Sequence, residues 1–302
     1  MSVRFAGLLL RNPVIAASGT FGYGVEFEDV VSIDRIGGFV TKGLSREPMA
    51  GNQAPRLIET SGGMINAIGL QNIGVRTFIE KKLPVLRPHS GTACIVNVFG
   101  YEVRDYVAVI EALNAAPGIA AYEINASCPN TQHGGMVFGT DTGILDQLVT
   151  RTKAVSRRPL IVKLSPNVTS IAQMARCAES AGADALSLVN TFLSLSIDVE
   201  TRRPRIANNT GGLSGPAIKP IAVRMVYEAA KAVSIPICGL GGITTAEDAI
   251  EFLLAGATAV QIGTASYADP RAVQRIADSL ERWCTRHHVA KVKDLIGAVQ
   301  PN

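Results

Sequence analysis

The sequence predicts an α/β fold, a closed (β/α)8 barrel of the TIM type, on three observations. Eight apolar runs of strand length recur along 302 residues, helical periodicity fills most of the gaps between them, and the runs are apolar throughout rather than alternating. Continuous apolar strands are buried on both faces, as in parallel sheets, and eight of them with helical crossovers are the count that closes a barrel. A doubly wound sheet uses the same units but does not require eight.

The first residues, MSVRFAGLLLRNP, read as an N-terminal β-hairpin ahead of the barrel. The eight strands follow as VIAAS (14–18), GFVTK (38–42), CIVNV (94–98), YEIN (122–125), LIVKL (160–164), ALSLVN (185–190), PICGL (236–240) and AVQIG (259–263). Between them Val103, Tyr106, Val107 and Ile110 share one helical face, as do Ile171, Met174, Ala175 and Ala178. Thr244 followed by Glu247 predicts a capping box, and Gly256 the end of that helix. Two Gly-rich insertions interrupt the alternation, residues 44–75 after the second strand and 191–216 after the sixth, and insertions of that length are commonly lids or binding loops. No linker of altered composition and no internal repeat divide the chain, so a single domain over 1–302 is expected.

Composition excludes several classes. With 47% hydrophobic residues and a net charge of +4 the chain is not disordered, and its Gly spacing and lack of heptads exclude collagen-like and coiled-coil chains. The longest charge-free runs, 124–140 and 252–268, are broken by Gly and polar residues, so no membrane span is expected. The first apolar run is too short for a signal peptide. Five cysteines are scattered with no CxxC, CxxH or HExxH spacing, which predicts no metal site or iron–sulfur cluster in this chain, reduced thiols and a cytoplasmic location. The basic runs are short, as on a solvated surface, and predict no nucleic-acid partner. No GxSxG occurs, and of the four His only His133 stands near a candidate nucleophile.

The active site of such a barrel lies at the C-terminal strand ends. Those ends carry Ser18, Lys42, Asn97, Asn125, Lys163, Asn190, Gly241–Gly242 and Gly263–Thr264. One Asn could cap a helix and one Lys could reach solvent, but two Lys and three Asn on one rim point to a polar, anionic ligand. The glycine pairs after strands seven and eight suit a phosphate, with bare backbone N–H groups facing the anion; no GxGxxG follows an early strand, so nicotinamide is not expected here. Cys128, in the loop NASCPN (125–130), lies just past a strand end, where a modestly tuned thiol acts as base or nucleophile. Cys94, Cys177, Cys238 and Cys284 lie in apolar strands or helix faces and read as core.

These motifs resemble the dihydroorotate dehydrogenases, most closely the catalytic subunit of their class 1B enzymes. The resemblance runs over nearly the whole chain: NPVIAASGTFGYG (12–24), TKGLSREP (41–48), GNQAPRLIETSGGMINAIGLQNIGV (51–75), EINASCPN (123–130), LIVKLSPNV (160–168), VNTFLSLSID (189–198), TGGLSGPAIKPIA (210–222), GLGGI (239–243) and VQIGTA (260–265). Ser194, Leu195 and Ile73 depart from the family's usual Gly, Met and Pro.

The resemblance implies FMN-dependent oxidation of dihydroorotate to orotate in pyrimidine biosynthesis. By motif position it implies FMN contacts from Ser18, Lys42, Gly43, Asn97, Asn125, Lys163, Val189, Gly215, Gly241, Gly242, Gly263 and Thr264. Lys42, Asn66, Ile68, Gly69, Leu70, Asn125, Asn130, Asn190 and Thr191 would hold the substrate. Cys128 would be the catalytic base, with Lys163 and Lys42 assisting. Class 1B also implies a homodimer core within a heterotetramer, whose second subunit carries FAD and a [2Fe-2S] cluster and reduces NAD. Other readings are a class 1A enzyme using fumarate, a dihydropyrimidine dehydrogenase-like barrel, and a Schiff-base aldolase acting through Lys163. Fumarate turnover by the isolated chain, ferredoxin-type Cys clusters, and borohydride trapping without flavin colour would mark these in turn.

Overall fold

The structure, a computed structural model, describes residues 1–89, 91–126 and 138–300. An antiparallel hairpin of Val3–Phe5 and Leu8–Leu10 opens the chain and buries Val3, Phe5 and Leu10 in the core. Eight strands follow: β1 (Val14–Ala16), β2 (Gly38–Val40), β3 (Ala93–Val98), β4 (Ala121–Asn125), β5 (Leu160–Lys163), β6 (Ala185–Leu188), β7 (Ile237–Leu240) and β8 (Ala259–Ile262). All are parallel and pair in sequence order, with β8 returning to β1 to close the barrel. Each expected strand is present. Most are shorter by a residue or two at the C-terminal end, where the polar rim residues leave the ladder.

Among the described residues six regular α-helices of nine residues or more pack outside: α1 (Val103–Asn114), α2 (Thr142–Val155), α3 (Ile171–Ser180), α4 (Lys219–Ala230), α5 (Ala246–Leu254) and α6 (Ala272–Arg286). Short 3₁₀ turns at Val25–Phe27 and Ile33–Arg35 join β1 to β2. In α3 the expected face, Ile171, Met174, Ala175 and Ala178, is buried. In α1 the buried stripe is instead Tyr106, Val109, Ile110 and Leu113, while Val103 and Val107 are half-buried. Tyr106 sets that rotation, because its hydroxyl donates to the Asn125 carbonyl at 2.9 Å beneath the helix. The capping box of α5 lies one residue later than Thr244–Glu247: Thr245 is the cap and Asp248 its partner. Asp248 accepts from the N–H groups of Thr244 and Thr245 and from the Thr244 hydroxyl, which moves the helix start on by one.

The two insertions combine. Leu57–Thr60 and Gly63–Asn66 from the first, with Phe192–Leu195 and Thr210–Ser214 from the second, form one antiparallel four-stranded sheet. Its central pairing sets Gly212 opposite Asn66. Among the described residues no helix is long and apolar enough to cross a membrane.

Candidate active site

The barrel's C-terminal rim and the inserted sheet enclose one cleft of about 1260 Å³ of atom-free space, its mouth included. That size is ample for a small-molecule site holding more than one group. Ser18, Lys42, Gly43, Asn97, Asn125, Lys163, Val189, Gly241, Gly242, Gly263 and Thr264 all line it, and so do Asn66, Ile68, Gly69, Leu70, Asn190 and Thr191. The sheet supplies Asn66, which donates to the Gly212 carbonyl at 3.4 Å. Gly215 lies behind the lining, where its carbonyl oxygen would stand 2.7 Å from a Cβ on Gly242. Cys128 and Asn130 lie outside the described residues, as does His133.

Three turns meet in the wall of the cleft. Gly215 has φ +101 and Gly242 φ +77, both left-handed conformations that favour glycine, and a Cβ on Gly215 would come within 2.6 Å of the Gly63 Cα. Thr264 closes the corner, its hydroxyl donating to the Ser214 hydroxyl at 2.8 Å. Bare backbone packed this tightly beside the start of α5 suits a phosphate.

The same cleft carries the cations Lys42 and Lys163. Lys163 is 6% exposed, and its one hydrogen bond among the described residues is a long one, 3.4 Å, to the Ser18 hydroxyl. The register places it beside Asn125 on the neighbouring strand. Burial, with the nearby Arg56 and Lys163 charges, pushes the Lys42 ammonium below the usual lysine range. Arg56 itself is held by the Asn52 carbonyl at 3.1 Å and by Gln71 at 2.6 Å. Two lysines lining one cleft, with Arg56 close enough to act on Lys42, favour an anionic ligand. Above them Asn190 donates to Asn125 at 3.3 Å and receives the Thr191 N–H at 2.9 Å, so the amides are ordered by one another.

Beneath this layer lies a group the sequence reading passed over. The Glu123 carboxylate is fully buried inside the barrel. It accepts from Asn97 Nδ2 at 2.7 Å, the Ser187 hydroxyl at 2.8 Å and Gln261 Nε2 at 2.8 Å. A signal for it existed. Glu123, Ser187 and Gln261 each stand two residues before a rim residue, Asn125, Val189 and Gly263, and so share that strand face one layer deeper.

Comparison with known proteins gives the family. The model of the dihydroorotate dehydrogenase family matches residues 1–283. The chain belongs to the dihydroorotate dehydrogenase family. A Solibacter usitatus protein, provisionally named dihydroorotate dehydrogenase A (fumarate), is 58% identical over 99% of this chain and 98% of its own. The catalytic subunits named dihydroorotate dehydrogenase B (NAD(+)) from Trichlorobacter lovleyi and Geobacter sulfurreducens are each 55% identical over 99% of this chain and 98% of theirs. A crystal structure of DHODH in complex with ferulenol from Eimeria tenella superposes with a TM-score of 0.83 at 22% identity, covering 98% of this chain and 88% of that one, and shares the fold.

Dihydroorotate dehydrogenases are flavin-dependent oxidoreductases, and the cleft fits a flavin nucleotide on its own evidence. The close-packed glycine turns, which no side chain could enter without a clash, leave bare backbone on the cleft wall that suits a phosphate. Lys163 offers a buried cation for a ring edge that gains negative charge. Asn97 lines the cleft, and its Oδ1 lies toward Gly43, 2.8 Å from where a Cβ there would stand.

Proposed function

We propose that this chain, as one barrel domain over 1–302, oxidises dihydroorotate to orotate with FMN held in the cleft. The observation that carries this reading is the gathering of a glycine phosphate cradle, a buried lysine and an amide cluster on one cleft. Ser18, Gly43, Asn97, Val189, Gly215, Gly241, Gly242, Gly263 and Thr264 would hold FMN, with Lys163 at the ring. When bound, the flavin would supply the hydride acceptor for substrate C6. Lys42 would pair with the substrate carboxylate. Asn66, Asn125, Asn130 and Asn190 would match the ring's amide donors and acceptors, with Ile68, Gly69, Leu70 and Thr191 shaping the wall. Cys128 would take the C5 proton, so the substrate loses one proton and one hydride and gains the C5–C6 double bond.

The test is anaerobic. Dihydroorotate bleaches the flavin of the purified protein and yields one orotate per flavin; a flavin that stays oxidised overturns the reading.

For the acceptor we infer NAD, reached through a partner subunit carrying FAD and [2Fe-2S], with a homodimer of this chain at the centre. The B-type names of several relatives support it. So does the stripe Leu193, Leu195, Ile197 and Val199, alternate residues 51% to 80% exposed, which suits a subunit contact. The A (fumarate) name of the Solibacter usitatus protein favours a second reading. Co-purification of a flavin and iron–sulfur polypeptide supports the first; rapid turnover of the isolated chain with fumarate supports the second. The cytoplasmic location inferred from the reduced cysteines belongs to the same proposal.

Lys42 gives this reading a pH signature. An anionic ligand beside the ammonium raises its lowered pKa back toward the ordinary value. Orotate therefore binds best where Lys42 is already protonated in the free protein, and affinity falls as pH rises through the lowered pKa, beginning below 10.5. Titration of orotate against flavin absorbance across alkaline pH reads this out. Lys42→Gln should weaken orotate at least about tenfold near neutral pH and remove the slope.

A further inference from the structure

We propose that Glu123 is a positioning residue for the cofactor: its buried carboxylate locks the Asn97 amide so that a carbonyl oxygen, rather than an N–H, faces the flavin ring. This rests on the FMN reading above. Asn97 is 2% exposed and has one amide with two ends of opposite character. Its Nδ2 donates to Glu123 Oε1 at 2.7 Å. Turning the amide over would set oxygen against carboxylate at that distance, so Glu123 fixes which end is left for the cleft. That end, Oδ1, lies toward Gly43, where only the absence of a Cβ gives it room.

Gln261 presents a second amide to the same carboxylate. Its Nε2 donates to Glu123 Oε2 at 2.8 Å, while its Oε1 is buried without a hydrogen-bond partner among the described residues. The Ser187 hydroxyl supplies a third donor to the same carboxylate. All three hydrogen bonds run toward Glu123, so no member of the cluster can reverse without opposing like ends.

An acceptor at this place selects a ring N–H. Oxidised flavin has one, N3–H, between two carbonyls. Glu123 touches no ligand in this scheme and acts only through Asn97.

The test uses apoprotein reconstituted with FMN or with 3-methyl-FMN, followed by quenching of flavin fluorescence. The parent protein should bind FMN at least about tenfold tighter than the methylated analogue, the order expected when a buried acceptor loses its donor. Glu123→Gln should lose about tenfold in FMN affinity, shift the bound flavin's visible absorption, and lose the discrimination. Asn97→Ala should erase the discrimination, and adding Glu123→Gln to it should cost no further affinity. Equal binding of the two flavins by the parent overturns the proposal whether or not Glu123→Gln folds. A Glu123→Gln protein with parental affinity, spectrum and discrimination overturns it too, as does additivity of the two substitutions. A parent that binds neither flavin defeats the cofactor reading and this proposal together, whereas FMN binding without discrimination defeats this proposal alone.

Discussion

Cys128→Ala protein, purified with its flavin and mixed anaerobically with dihydroorotate, should keep the parent's flavin spectrum and bleach about 10²–10⁴-fold more slowly, the usual cost of removing a positioned base. Stopped-flow absorbance reads it directly, and a bleaching rate equal to the parent's would remove Cys128 from the mechanism. The other cysteines are poor substitutes. Burial pushes the Cys94 thiol up to about 12 and the Cys238 thiol well above its ordinary value, the latter with help from the Glu123 charge. Burial raises Cys177 and Cys284 as well. A base near neutral pH needs an accessible thiolate, and these four are core or half-covered side chains. Asn125, three positions before Cys128 in the sequence, has its carbonyl held by the Tyr106 hydroxyl at 2.9 Å.

Lys163→Ala should act on the flavin itself. Two-electron reduction adds negative charge to the ring, and a buried cation stabilises that charge more than an exposed one would. Its loss should lower the bound flavin's midpoint potential and slow reduction by dihydroorotate by about 10²–10³-fold. Spectroelectrochemistry supplies the potential and stopped flow the rate. Unchanged values of both would show that Lys163 serves only the fold. The sign is set by charge: removing a cation disfavours the reduced, more negative form.

Much of this was legible in the sequence because barrels write their site at regular places. Each strand run is local and apolar, and the polar residue ending it, such as Lys42, Asn125 or Lys163, lies where the strand meets the cleft. Features that depend on partners far along the chain were not legible. Asn66 and Gly212 are opposite each other only because two insertions pair, and no local pattern in either names the other. Glu123 and Gln261 are 138 positions apart and meet only across the closed barrel. Smaller misses are local competitions. Asp248, drawing three donors from Thr244 and Thr245, moved the start of α5 past Thr244, and the Tyr106 hydroxyl turned α1 away from its simplest apolar face.

The sheet shared by the two insertions makes them a single inherited part. A chimera that exchanged one insertion with another barrel would leave half a sheet with an unmatched edge. A slip of one residue in the Gly212–Asn66 pairing would also turn Asn66 away from the cleft. A change that moves the sheet's register must therefore be matched in the other insertion. Residues 44–75 and 191–216, distant in the gene, are constrained to vary together.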